Sequence, residues 1–312
     1  MKQLLAFLLS SCLWFNAQSQ FAPAAGQPGS TAIHADSSCL VDWALFCRVE
    51  RGFKQINLPD SGRASVGEPE NACGKPGNGL VSLGDAGRAI LEFSPPIANG
   101  PGFDFAVFEN AFNDSFLELA HVEVSSNGID WVRFPSQSLT QTQTQTPAFG
   151  YTQPQRIHNL AGKYRSPYGT PFDLDELKDS NRIDLQWIVY VRIMDAVGSV
   201  DSSWGSRDAS GRLINDPWPS PFPSSGFDLE AVGILHNALF WTGPYQPGSP
   251  FYSSREHRLE ACPKTPGYLY ASNGQIVAKK PAQVENWSLP ALAPGVYFYR
   301  SPETETLRFS VR

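Results

Sequence analysis

Along most of this chain, apolar and polar positions alternate in short runs: "RAILEF" from Arg88, "FDFAVFE" from Phe103, "HVEVS" from His121, "WIVYVRIMD" from Trp187 and "FDLEAVGI" from Phe227. Period-two alternation sends successive side chains to opposite faces, so each run reads as a strand with one face on a core. Gly, Pro, Asn and Ser separate the runs, which is the punctuation of short antiparallel strands. Strand after strand without intervening helices predicts an all-β fold, an antiparallel β-sandwich or jelly roll. One early segment departs from the pattern. In "DSSCLVDWALFCRVERG", Asp36 or Ser37 stands as a cap before an apolar stretch, and the spacing predicts a helix. The clearest local prediction is a hairpin, in which Val122 and Val124 alternate with His121 and Glu123 and Asn127-Gly128 supplies the positive φ of a tight turn. Two long connections interrupt the strands. "SLTQTQTQTPAFGYTQPQ" is polar and of low complexity and reads as an exposed loop. The segment from Asp195 to Gly226 is long enough within a compact domain to mark a functional or a mobile region.

With 312 residues, 41% of them hydrophobic, the chain can bury a full core. The formal net charge of -6 comes from dispersed acids, and no Lys/Arg run exists to follow a phosphate backbone, so nucleic acid is excluded as a partner. The N-terminus has a basic Lys2, an apolar run from Leu4 to Phe15 and small residues at Ala17 and Ser19, the pattern of a cleaved signal peptide over residues 1–19. The competing reading makes Cys12, in "LSSC", a lipid attachment point. No later run approaches the length that spans a bilayer. The remainder divides into a β-sandwich domain at 20–236, a linker and degenerate start of a tail at 237–264, and a small β unit at 265–312. After cleavage the cysteines are Cys39, Cys47, Cys73 and Cys262, an even set in an exported chain, which points to disulfides. If Cys39 and Cys47 share a helix they lie about 12 Å apart, too far to be bridged. Cys47 with Cys73 is the preferred pair, Cys262 is either free or paired with Cys39, and a zinc site, the runner-up, lacks its spacing.

Two resemblances follow from particular motifs. "SNGQIV" from Ser272, "LPALAPGVYFYR" from Leu289 and "LRFSVR" from Leu307 resemble the C-terminal sorting domain read by the type IX secretion system of Bacteroidetes. That resemblance implies that the tail is an export address with the secretion machinery as its partner. In the main domain, "VSLGDAGRAILEF" from Val81, "IANGPGFDFAVFEN" from Ile97, "AHVEVSSNGIDWVRF" from Ala120, "IVYVRIMDAVG" from Ile188 and "GFDLEAVG" from Gly226 resemble a group of bacterial cell-surface proteins with galactose-binding-type jelly rolls. The implied location is secreted or on the outer cell surface. Some similar proteins accompany outer-membrane transporters, including those for corrinoids.

Candidate chemistry gathers at strand ends. Asp104, Glu109 and Asn110 bound the "FDFAVFEN" strand, Asp195 ends "VRIMD", and Asp228 and Glu230 lie in "GFDLEAVG". Oxygen donors collected from several strand ends suit Ca²⁺, which takes six to eight oxygens in a flexible geometry. The alternative is that these acids pair with Arg88, Arg133 and Arg192 or cap turns. Trp204, Trp218 and Phe222 in the long loop are candidate ligand contacts, because aromatic faces on loops of a rigid sandwich hold sugars or flat ligands; equally, they can cover the sandwich end. The histidines show no ligand spacing, and His121 reads as a solvated side chain. No GxSxG, HExxH, P-loop or dinucleotide fingerprint is present. The expectation is a non-enzymatic binding protein for a glycan or nutrient. A ligand-capture accessory of an outer-membrane uptake system and a two-carboxylate hydrolase are the alternatives.

Overall fold

The structure is a computed structural model that describes residues 21–238, 251–253, 258–260, 262, 264–271, 275–292, 295–302 and 304–311. The expected signal peptide with Cys12, and Asn273-Gly274 of the "SNGQIV" motif, lie outside the described residues. In chain order the main unit has strands β1 (Ile33–His34), β2 (Asp42–Trp43), β3 (Phe46–Glu50), β4 (Val81–Ser82), β5 (Arg88–Ile97), β6 (Phe105–Glu109), β7 (Ala120–Ser125), β8 (Val132–Arg133), β9 (Gln137–Ser138), β10 (Ile157–His158), β11 (Tyr168–Phe172), β12 (Ile188–Asp195) and β13 (Asp228–Ile234). They form two main antiparallel sheets, β1-β11-β6-β13-β2 with β4 against β13, and β3-β5-β12-β7-β8. The fold is the all-β sandwich that the alternation predicts.

Strand β6 is buried along its whole length because it lies between β11 and β13. Its Phe105 and Val107 point into the central core with Leu91, Val122, Val191 and Phe227. Ala106 and Phe108 point the other way, into a second apolar cluster with Ala35 and Ala231 that Trp43 and Leu40 cover. Both faces being covered explains why the strand reads as a nearly continuous apolar run. The hairpin forms, with Glu123 opposite Arg133 and Val124 opposite Val132. Its loop is longer than a two-residue turn. Gly128 alone takes a positive φ there, 75°, while the Asn127 side chain accepts the amides of Ile129 and Asp130.

The predicted early helix is absent. The segment instead supplies β2 and β3, and β3 pairs with β5 through Cys47 opposite Leu91 and Val49 opposite Ala89. Exposed Phe46, Arg48 and Glu50 alternate with half-buried Cys47 and Val49. Cross-strand pairing and burial outweigh a cap-like start, as tertiary context commonly outweighs local propensity. With the helix goes the distance argument against Cys39 with Cys47. Cys39, Cys47, Cys73 and Cys262 are all free thiols, so the Cys47–Cys73 bridge is not formed here. The two are nonetheless neighbours: burial, and then the adjacent Cys73, push the Cys47 thiol up to about 12.

The tail holds β14 (Phe251–Ser253), β15 (Arg258–Glu260), β16 (Gly267–Ala271), β17 (Ile276–Lys280), β18 (Trp287–Ser288), β19 (Gly295–Ser301) and β20 (Thr304–Val311). They make a three-stranded sheet, β14-β15-β18, and a four-stranded one, β17-β16-β19-β20. The passage read as a linker thus contributes two strands to the tail. Phe298 of the tail packs edge-on against Trp187 at 5.6 Å, Tyr270 lies 5.7 Å from the same ring, and Arg300 pairs with Asp184. Among the described residues, no helix is long and apolar enough to cross a membrane.

Candidate functional site

One end of the sandwich collects carboxylates. Glu109 closes β6 directly opposite Leu229 of β13, so Asp228 and Glu230 flank it on the neighbouring strand. Asp195 closes β12 opposite Ala120, and the chain entering that position brings Glu118 alongside. Asp216 arrives from the long loop and accepts the amide of Leu119 at 2.9 Å. The backbone is drawn tight here. Gly162 has a φ of 83°, and a Cβ there would fall 1.8 Å from the carbonyl oxygen of Glu118. Only glycine fits that approach.

The group is deeply buried, Glu109 being 2% exposed. Burial raises the Glu109 carboxyl well above the usual range, and Asp228, Glu230 and Asp216 raise it further. Burial likewise raises Glu118, followed by Asp228, Glu109 and Asp216. Asp216 is raised by burial and then by Asp195. Asp228 is pushed up to about 7, chiefly by burial, although Ser82 donates to it and Arg51 lies near. Burying several carboxylates together without equal positive charge is costly, and a fixed cation or bound protons must neutralise them. The arginines that could have done so are committed elsewhere: Arg88 pairs with Glu50, and both Arg133 and Arg192 pair with Glu123. Glu109 Oε2 has no hydrogen-bond partner among the described residues.

The sequence-predicted metal set therefore divides. Glu109, Asp228 and the half-buried Glu230 belong together, with Glu230 accepting from Ser166 at 3.2 Å. Asn110 follows at the strand end and donates its amide to the Asp228 carbonyl. Asp195 is close, yet both of its oxygens accept backbone amides, from Ala86 at 3.0 Å and Phe227 at 2.8 Å, which makes it a clamp between loops. Asp104 sits at the opposite end of β6. It accepts the amides of Gly100 and Leu174 at 2.7 Å each and meets His236 Nδ1 at 3.0 Å. Burial raises it to about 6. It cannot share a cation with Glu109, because five residues of strand separate them by roughly 17 Å. Glu118 and Asp216 were missed. Both sit outside alternating runs, so periodicity gave no reason to single them out. Among the described residues, no three His, Cys, Asp or Glu side chains form a ready-made metal-ligating group.

Above the carboxylates the loops carry aromatic rings. Phe112 and Phe116, on the β6–β7 loop, stack at 6.3 Å; Phe116 stacks on Phe149 at 6.3 Å; and Phe149 meets Phe222 at 6.0 Å. Phe112 is 79% and Phe149 73% exposed, so the row faces solvent. Of the aromatic residues singled out in the long loop, Phe222 joins this row and Trp204 is exposed on a separate turn begun by Asp201. Trp218 is buried, and its indole N–H donates to Asp85 at 2.8 Å, so it is a structural residue. His121 is buried too, not solvated.

The low-complexity loop is held rather than free. Asn215 donates to the carbonyls of Gln141 and Thr144 and accepts the amide of Thr146, while Gln145 donates to Gly198 and accepts from Val200. Exposed glutamine and threonine tips at residues 141–144 thus stand on a fixed base. A scan of the chain against protein-family models matches none, and a search of curated proteins finds no match.

Proposed function

We propose that this chain is an exported, non-enzymatic binding protein of the cell surface or surrounding medium, which holds a glycan or similar nutrient on the loops at one end of its sandwich. The observation that carries the reading is the solvent-facing row of Phe112, Phe116, Phe149 and Phe222, four rings in sequence on loops that a rigid scaffold positions. Apolar ring faces left in water are costly to a monomer unless something stacks on them.

Calcium is the cation this reading assigns to the carboxylate cluster. Glu109, Glu118, Asp216 and Asp228 would hold it, and the ion would supply the positive charge that the buried carboxylates lack, fixing the loops that bear the rings. The tail resembles a type IX sorting domain in its sequence motifs, and its described strands form a three-stranded and a four-stranded sheet of their own. The hydrolase alternative needs two acids facing an open cleft, whereas Glu109 and Glu118 are buried.

The test is a glycan array probed with the mature chain, residues 20–312, beside the double variant Phe112→Ala/Phe149→Ala. We expect a restricted set of glycans to be retained and the variant to lose at least about tenfold in affinity with its melting temperature unchanged. Absence of any retained glycan, or equal retention by the variant, would refute the ring row as the ligand face.

A further inference from the structure

Asparagine followed by glycine exposes its side-chain amide to attack by the chain itself, because a following residue without a Cβ leaves its backbone nitrogen unshielded. Four such pairs occur, Asn78-Gly79, Asn99-Gly100, Asn127-Gly128 and Asn273-Gly274. The fourth lies outside the described residues. The fold treats the other three unequally.

Two of them are locked. The Gly100 amide donates to Asp104 Oδ1 at 2.7 Å, and the Asn99 side chain donates to Asp175 at 2.8 Å. A Cβ on Gly100 would fall 2.4 Å from the His236 ring, so this backbone has no slack. At the hairpin, the Gly128 amide donates to Ser125 Oγ at 2.9 Å. Asn127 Oδ1 accepts the amides of Ile129 and Asp130, and Asn127 Nδ2 donates to the Asp130 carboxylate. In both pairs the attacking nitrogen and the side chain it would attack are held by other partners.

Asn78-Gly79 lacks both restraints. The two residues are exposed, and among the described residues neither the Gly79 amide nor the Asn78 side chain makes a hydrogen bond. The surroundings are open: a Cβ on Gly77 would meet nothing within 4 Å, and one on Gly79 would meet the Asn71 side chain at 3.4 Å. Asn71 does hold the main chain here, donating to the Asn78 carbonyl at 2.6 Å, and leaves the Asn78 side chain free to swing. Freedom of this kind is local, set by missing hydrogen bonds and packing.

From this contrast we infer that Asn78 is a self-modifying site, at which the folded chain converts asparagine to aspartate and isoaspartate. The Gly79 nitrogen bonds to Asn78 Cγ, the Cγ–Nδ2 bond breaks, and ammonia departs with the proton the nitrogen gives up. Water then opens the five-membered imide. Addition at Cγ leaves aspartate, and addition at the main-chain carbonyl leaves isoaspartate. Either product carries one more negative charge, and the second routes the backbone through an extra methylene, displacing the carbonyl that Asn71 holds. Asn71 also accepts the Glu68 amide at 2.7 Å, at the start of the turn that carries buried Ala72, so the change reaches from a loop toward the core. Nothing in this depends on what the ring row binds.

The experiment incubates the mature chain in warm, mildly alkaline buffer, folded and in parallel unfolded in guanidinium chloride. Mass spectrometry of tryptic peptides follows amide loss at each asparagine, and isoaspartyl methyltransferase labelling detects isoaspartate. Asn78 lies in the peptide from Ala64 to Arg88, where fragment ions separate it from Asn71. In the folded chain we expect conversion at Asn78 to outpace that at Asn99 and Asn127 by at least about tenfold. In guanidinium the three rates should converge, and Asn78→Gln should remove the methyl label from that peptide. Equal rates at the three sites in the folded chain, or an Asn78 amide that persists there, overturns the inference. A preference for Asn78 that survives unchanged in guanidinium overturns it too, since neighbouring sequence and not the fold would then set the rate.

Discussion

His121 lies within β7, every residue of which is buried, and its ring meets Ser136 Oγ at 3.5 Å. Burial, and then Arg133, push the imidazole down to about 4. The unfolded chain therefore takes up this proton first as the pH falls. The His121 contribution is complete above its ordinary value near 6.5 and is lost as the pH drops toward 4. Replacing it with Gln should flatten the decline in stability between those limits, which urea unfolding at pH 7.0 and pH 4.5 reads directly. An unchanged difference between the two pH values would mean that another group sets the acid limit. The alternation had correctly placed His121 opposite Val122, but a hairpin seen alone has a wet outer face. What dries it is the long loop, whose Ala209 amide reaches the Ser136 carbonyl, and such a long-range contact leaves no trace in local sequence.

At the level of elements, strand ends are what the chain converges. The period of two identified β6, β7, β12 and β13 and put Glu109 on the same side as Phe105 and Val107. It could not supply register, and register decides that Asp228 and Glu230 flank Glu109; that Asp104 lies at the far end follows from strand length alone. The early helix was misread for a related reason: a half-buried edge strand beside β5 carries the same apolar count as one helical face. The converged carboxylates give a direct test. The mature chain stripped with EDTA should gain several degrees in melting temperature on addition of millimolar Ca²⁺, since a ligand that binds only the native state stabilises it by mass action. Glu109→Gln and Asp216→Asn should each abolish most of that gain, while Asp104→Asn should leave the calcium shift intact. An unmoved melting curve of the parent protein would remove calcium from the account.

Across the whole molecule, the change of composition after residue 236 suggested a division of the chain, but it gave no sign of the contact between the sandwich and the residues that follow. Trp187 reads as a core residue of a strand-like run, and it is buried, yet what covers it includes Tyr270 and Phe298 of the tail. A chain ending at residue 238 should therefore show red-shifted tryptophan emission and greater quenching by acrylamide than the full protein. Identical spectra would mean that the contact does not persist in solution.

On the proposal that the tail is an export address, and if it is cut away after use, the same contact would give its removal a physical result. Ala98, Trp187 and Ala238, sealed in the precursor, would be uncovered together on the released product. A protein that travels with this spot masked would thus reach its destination with a newly adhesive surface, and the colour of a single indole would report when unmasking had happened.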